Sequence, residues 1–109
     1  MVKIIDGYKE RVERMKRYED LWNLANQIFN DRCITKGDLE YGPITIPRKG
    51  DGSGNPVEIF PQTNLVVVNE ESDLEVALKL AQEAEKITNT EFKLRKDYKP
   101  KSHSSQSSS

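Results

Sequence analysis

Along residues 5–30, large apolar side chains return every seven positions, at Tyr8, Met15, Trp22 and Phe29. Val12, Tyr18 and Ala25 fill the intermediate turns at steps of three or four, which is the spacing of one helix face. The pattern predicts a long helix that ends near Asn30-Asp31, with Gly7 weakening its start. In the first half the apolar stripe is narrow, and the positions between are charged at i,i+4 spacing: Glu10 and Arg14, Glu13 and Arg17, Lys16 and Asp20. From Leu21 onward, Leu21, Leu24 and Ile28 widen the stripe. The second half therefore reads as core, and the first half as a segment that projects or lies along a surface.

The pattern then changes from period 3.6 to short alternating runs cut by Gly and Pro. Leu39, Tyr41, Ile44 and Ile46 stand among Gly42, Pro43 and Pro47, and Val57 and Ile59 alternate around Glu58. Leu65-Val66-Val67-Val68 is a β-branched run free of proline, so it is the expected central strand, because a proline lacks the N–H that a central ladder requires. Gly50, Gly52 and Gly54 make residues 50–55 a loop that joins segments 44–49 and 56–60 into a hairpin.

A second helix is announced at Ser72-Asp73-Leu74-Glu75, which fits a capping box, with Glu70, Glu71 and Asp73 placing negative charge at the N-terminal end of the helix dipole. Leu74, Ala77, Leu78, Ala81 and Ala84 form its expected face, with Val76, Leu80 and Ile87 beside it, and Asn89-Thr90 closes it. Phe92 and Leu94 suit a short final strand. The expected fold is α+β: a long N-terminal helix, a small antiparallel sheet of about three strands packed by its apolar face on both helices, a second helix, and a short basic, Ser-rich tail. Residues 1–95 are assigned to one domain and 96–109 to the tail, which has nothing to bury.

Composition narrows the class. A chain of 109 residues with 32% charged and 35% hydrophobic side chains supports one modest core under a wet surface. A net charge of −1 excludes a globally basic nucleic-acid protein but not a locally basic one. The single cysteine, Cys33, excludes an internal disulfide and is expected to be a half-buried structural thiol. The opening Met1-Val2-Lys3-Ile4-Ile5-Asp6 meets charge before an apolar h-region forms, and the longest apolar run has four residues, so neither a signal peptide nor a membrane span is expected. The expected location is cytoplasmic, or otherwise intracellular or virion-associated.

Candidate chemistry is sparse. The only histidine, His103, lies in the serine tail with no framework to orient it as a general base, and Cys33 has no structured histidine beside it, so no catalytic residues are assigned. No His or Cys pair has zinc-ligand spacing, and Asp51-Gly52-Ser53-Gly54-Asn55 lacks the distal Glu of an EF-hand loop. The same glycines precede Pro56-Val57-Glu58-Ile59, a strand rather than the helix that a phosphate loop opens. No metal, cofactor or small-molecule substrate is expected.

Two surfaces remain. From Glu70 to Glu91 there are seven acidic residues against two lysines, which reads as a solvated helix face or a docking surface for something basic. Lys93, Arg95, Lys96, Lys99 and Lys101 stand against Asp97 alone, with Tyr98 interleaved, a combination suited to phosphates and a stacked base. Arg11, Arg14, Lys16 and Arg17 on the first helix are offset by Glu10, Glu13, Glu19 and Asp20. Tyr8, Val12, Met15 and Tyr18, on the narrow part of the stripe, are the candidate partner interface. Taken together, the sequence points to a non-catalytic protein–protein interaction or self-associating assembly module, a small structural or accessory protein of the viral kind, whose partner is another protein chain. Nucleic-acid binding through the basic C-terminal segment is the alternative.

Overall fold

The structure, a computed structural model, describes residues 1–38 and 40–99. Helix α1 spans Gly7–Ile28. Asp6 caps it, its side-chain oxygen accepting the Lys9 N–H at 3.0 Å, which satisfies one of the amide donors that a helix N-terminus leaves unpaired. At its far end the Phe29 N–H still reaches the Ala25 carbonyl at 2.8 Å before the chain turns away.

A seven-residue repeat falls about 20° short of two helical turns, so its stripe drifts around a straight helix. The drift is visible along α1. Tyr8 is 78% exposed, Met15 and Trp22 are half-buried, and Phe29 is 2% exposed. The face turned to the body runs instead through Arg14, Tyr18, Leu21 and Ala25, at steps of four, three and four. Tyr18, expected at a partner surface, is 1% exposed, and its hydroxyl accepts the Gly37 N–H at 2.8 Å. That position therefore belongs to the core and not to the interface.

After α1 the chain runs back beside the helix, burying Ile34, and enters strand β1 (Ile44–Ile46). β1 pairs antiparallel with β2 (Val57–Phe60) through the glycine loop, where Gly50, Gly52 and Gly54 all have positive φ. The Arg48 N–H to Ser53 carbonyl bond, 2.8 Å, closes the loop. A turn ending at Asn64, which has φ 55°, leads to β3 (Leu65–Val68), antiparallel to β2. A single 3₁₀ turn, Glu71–Asp73, precedes helix α2 (Leu74–Thr88), and Asn89 stops that helix in the left-handed conformation. Strand β4 (Lys93–Lys96) follows and pairs parallel with β3.

The fold is α+β, and the sheet order is β1-β2-β3-β4. Two corrections to the expected sheet follow: it has four strands, and it is mixed rather than antiparallel. The cause is α2, which carries the chain back along the sheet so that the next strand starts at the same end as β3, as a parallel pair requires. β4 falls where Phe92 and Leu94 suggested a short final strand, and it contributes one inward apolar residue, Leu94, between charged neighbours. β3 is interior as expected, while Pro43 and Pro47 bracket the edge strand β1.

Both helices cover one sheet face. Ile44, Ile46, Val57, Ile59, Val66 and Val68 meet Tyr18, Leu21, Ala25 and Phe29 from α1 and Ala77, Leu80, Ala81 and Ala84 from α2. The alanines bring α2 close. Its buried face is rotated toward Leu80, which leaves Leu78 and Ile87 exposed. The capping box does not form either. The residue at the α2 N-cap is Asp73, with no side-chain bond to the helix, because its carboxylate is engaged by Arg32. The opposite sheet face carries Thr45, Glu58, Val67 and Arg95 in one cross-strand row, and Phe60, Leu65 and Lys93 in the next.

Candidate functional site

The first turns of α1 and the segment before them project past the body, leaving apolar side chains that nothing in the fold covers. Ile4, Ile5, Tyr8 and Val12 are exposed, Val12 at 46%, and every residue from 7 to 13 is exposed. A step of four aligns Tyr8 and Val12 into one strip, rotated away from the body-facing line of Arg14 and Tyr18, and Ile4 and Ile5 lie in the extended segment just before the Asp6 cap. Met15, half-buried, marks where the strip meets the body. Of the four residues assigned to a partner surface, the structure thus puts Tyr8 and Val12 on open surface, Met15 at its margin and Tyr18 in the core.

On the body side of the same turns the arginines leave the helix face. Arg11 pairs with Glu40, and Arg14 Nη2 lies 3.5 Å from the other Glu40 oxygen and 3.3 Å from the Tyr41 hydroxyl. The Arg14 guanidinium lies 5.3 Å from the Tyr41 ring centroid. Arg17 donates to Asn64 Oδ1 and, at 3.4 Å, to Thr90, and it sits 5.8 Å from the Phe92 ring centroid. Burial pulls its pKa below the ordinary arginine value. Asp38 holds this strand-entry turn, accepting the N–H groups of Glu40 at 2.8 Å and Tyr41 at 3.1 Å. These bonds, Glu40's first, hold the Asp38 carboxyl below its usual range.

Sequence reasoning set these arginines against Glu10, Glu13, Glu19 and Asp20 of their own helix. Their partners come from residues 40, 41, 64 and 90 instead. The signal that was available is positional: Arg14 falls on the same i, i+4, i+7 line as Tyr18 and Leu21, but a search for apolar residues passes over it. Of the i,i+4 pairs, Lys16–Asp20 is made, at 3.2 Å.

The basic C-terminal residues do not gather on one face. Strand alternation puts Lys93 and Arg95 on the outer sheet face and turns Lys96 to the side of Leu94. Arg95 is clamped by Asp97 through two bonds, 3.0 and 3.1 Å. Tyr98 is half-buried against the core. Lys99 and Tyr98 share a shallow pocket with Glu70, Glu71 and Ser72, at the acidic start of α2. Leu39, Lys101 and His103 lie outside the described residues.

Cys33 is exposed, not half-buried, because the chain turns outward between Phe29 and Ile34. Among the described residues no cluster of three or more His, Cys, Asp or Glu side chains is arranged to hold a metal ion, and no helix is long and apolar enough to cross a membrane. Comparison with protein-family models, with curated proteins and with solved structures finds no match to this chain.

Proposed function

We propose that this chain is a non-catalytic assembly module, a small structural or accessory protein that associates with a second copy of itself through the first turns of α1. The observation that carries this reading is the exposed pair Tyr8 and Val12 on a helix segment that no other element covers, with Ile4 and Ile5 exposed in the segment that leads into it. A contiguous apolar strip at helical spacing has the form of a helix–helix seam, and a two-fold pair uses the same strip on both copies. Lys9 and Lys16 border it on one side and Arg11 on the other, which leaves its centre apolar and its rim charged, as in other interfaces.

Amide hydrogen exchange at low and high protein concentration tests the reading. Protection of residues 8–16 that rises with concentration is the expected result. Equal exchange at both concentrations contradicts it, since an isolated projecting turn gains no protection from crowding its own solution.

One observation favours the nucleic-acid reading as a second choice. Lys93, Lys96 and Lys99 are exposed and make no ion pair among the described residues. Salt-dependent oligonucleotide binding, lost in Lys93→Ala/Lys96→Ala, supports it; no binding at low salt removes it.

A further inference from the structure

Arg11 and Arg14 converge on a single carboxylate, Glu40, at one end of a cleft between α1 and the turn joining β2 to β3, and Arg17 lines the same cleft. Arg14, Arg17, Glu40, Pro61, Gln62 and Asn64 line that cleft, whose volume is about 190 Å³. Glu40 is already engaged by Arg11 and Arg14. Arg17 has no carboxylate partner among the described residues, and the groups it contacts are neutral: the Asn64 amide oxygen, the Thr90 hydroxyl and the Phe92 ring. The Nε atoms of both Arg14 and Arg17 are buried without an acceptor. Buried donors in folded proteins are paired almost without exception, and a partly buried guanidinium without a counter-ion is expensive to keep. Glu10, Glu13 and Asp20 line a second groove that Arg14, Lys16 and Arg17 also border, and none of the three carboxylates pairs with Arg17 among the described residues.

We propose that this cleft binds a phosphate monoester group, with Arg14 and Arg17 as its ligands. Arg14 and Arg17 set against the one lining carboxylate leave the cleft with a net positive charge, and a phosphate monoester offers three acceptor oxygens to the two guanidinium groups where a carboxylate offers two. Guanidinium forks bind phosphate oxygens in pairs, and Arg17 brings such a fork to the cleft with no carboxylate on it among the described residues. Gln62 and Asn64 side chains at the rim supply amide groups to orient the ester oxygen. The site is independent of the α1 strip and does not require self-association.

The test is an NMR titration that follows the arginine Nε–H resonances of the full chain at pH 7.5, with inorganic phosphate, phosphoserine and chloride added at matched ionic strength. Saturable movement of the Arg14 and Arg17 signals with both phosphate probes, absent with chloride, is expected. Arg17→Gln should weaken the binding roughly tenfold or more, and Arg17→Lys, which keeps the charge but loses the fork, should restore it only in part. Saturation with phosphoserine alone assigns the site to esters, and saturation with inorganic phosphate assigns it to the free anion as well; both support the proposal. Movement that chloride reproduces, movement that never saturates at tens of millimolar, or an unchanged affinity in a folded Arg17→Gln chain would overturn it.

Discussion

Arg32 and Asp73, forty-one positions apart, form a two-pronged ion pair: Nη1 to Oδ2 at 3.1 Å and Nη2 to Oδ1 at 2.8 Å, with the two side chains 11% and 10% exposed. The same guanidinium donates to the Pro47 carbonyl at 3.2 Å and lies over the Phe29 ring at 4.9 Å. One side chain thus ties the exit of α1, the end of β1 and the entry of α2. Asp73, drawn first by hydrogen bonding, holds the Arg32 pKa above its ordinary value. The pair explains why Ser72-x-x-Glu75 does not form a capping box, since the residue at the cap position spends its carboxylate on a tertiary contact.

Removing one partner of such a pair strands the other charge in a largely dry site. Asp73→Ala is expected to lower stability by about 3 kcal/mol. Ser72→Ala, at an exposed position with no cap bond, should change it by less than about 0.5 kcal/mol. Urea unfolding of the two variants checks both values. A large loss in Ser72→Ala would restore the capping box and contradict the Arg32–Asp73 account.

Two tyrosines on α1 provide a second contrast. Tyr18→Ala opens the core beside Leu21 and should cost about 3–5 kcal/mol. Tyr18→Phe, which loses only the bond from the Gly37 N–H, should cost about 0.5–1.5 kcal/mol. Tyr8→Ala removes an exposed ring and should stay within about 0.5 kcal/mol when measured in dilute solution. Equal losses at positions 8 and 18 would mean that the strip is packed and not open.

Acid sensitivity follows from three carboxyls held below the usual range: Asp38 by the Glu40 and Tyr41 amides, Asp51 by the Ser53 amide and hydroxyl, and Asp31 chiefly by Lys49. A carboxyl depressed in the folded state adds stability above its unfolded value and loses it as pH falls through the folded one. From these groups the melting midpoint should be flat from pH 7 to about 5 and should fall below about pH 4. Asp38→Ala should lower the midpoint at pH 7 and reduce the slope of the acid limb. A slope unchanged by that substitution would show that the strand-entry turn does not depend on the ionised Asp38.

The elements with a repeating pattern were legible in the sequence. The seven-residue spacing in α1, the proline-free run of β3 and the left-handed Asn89 after α2 each have a local cause, and each appears where its cause places it. What was not legible depends on long-range partners. Tyr18 and Tyr8 share one stripe in the sequence, and what separates a core residue from a surface one is where the body of the fold begins along α1, since every residue from 7 to 13 is exposed. The arginine cleft was hidden because charges on one helix suggest local pairs. Residues 40 and 64 reach Arg14 and Arg17 only once the sheet is in place. Strand β4 was legible as a short final strand around Leu94, but its parallel pairing with β3 was not, since that depends on the path of α2.

Sedimentation equilibrium of the full chain and of Val12→Glu over a wide concentration range tests self-association through α1 most directly. The account predicts a mass that climbs from monomer toward dimer as concentration rises. In Val12→Glu it should remain at monomer, with circular dichroism and the unfolding midpoint of dilute protein unchanged. A wild-type chain that stays monomeric at every concentration, or a Val12→Glu chain that associates as the wild type does, would contradict it.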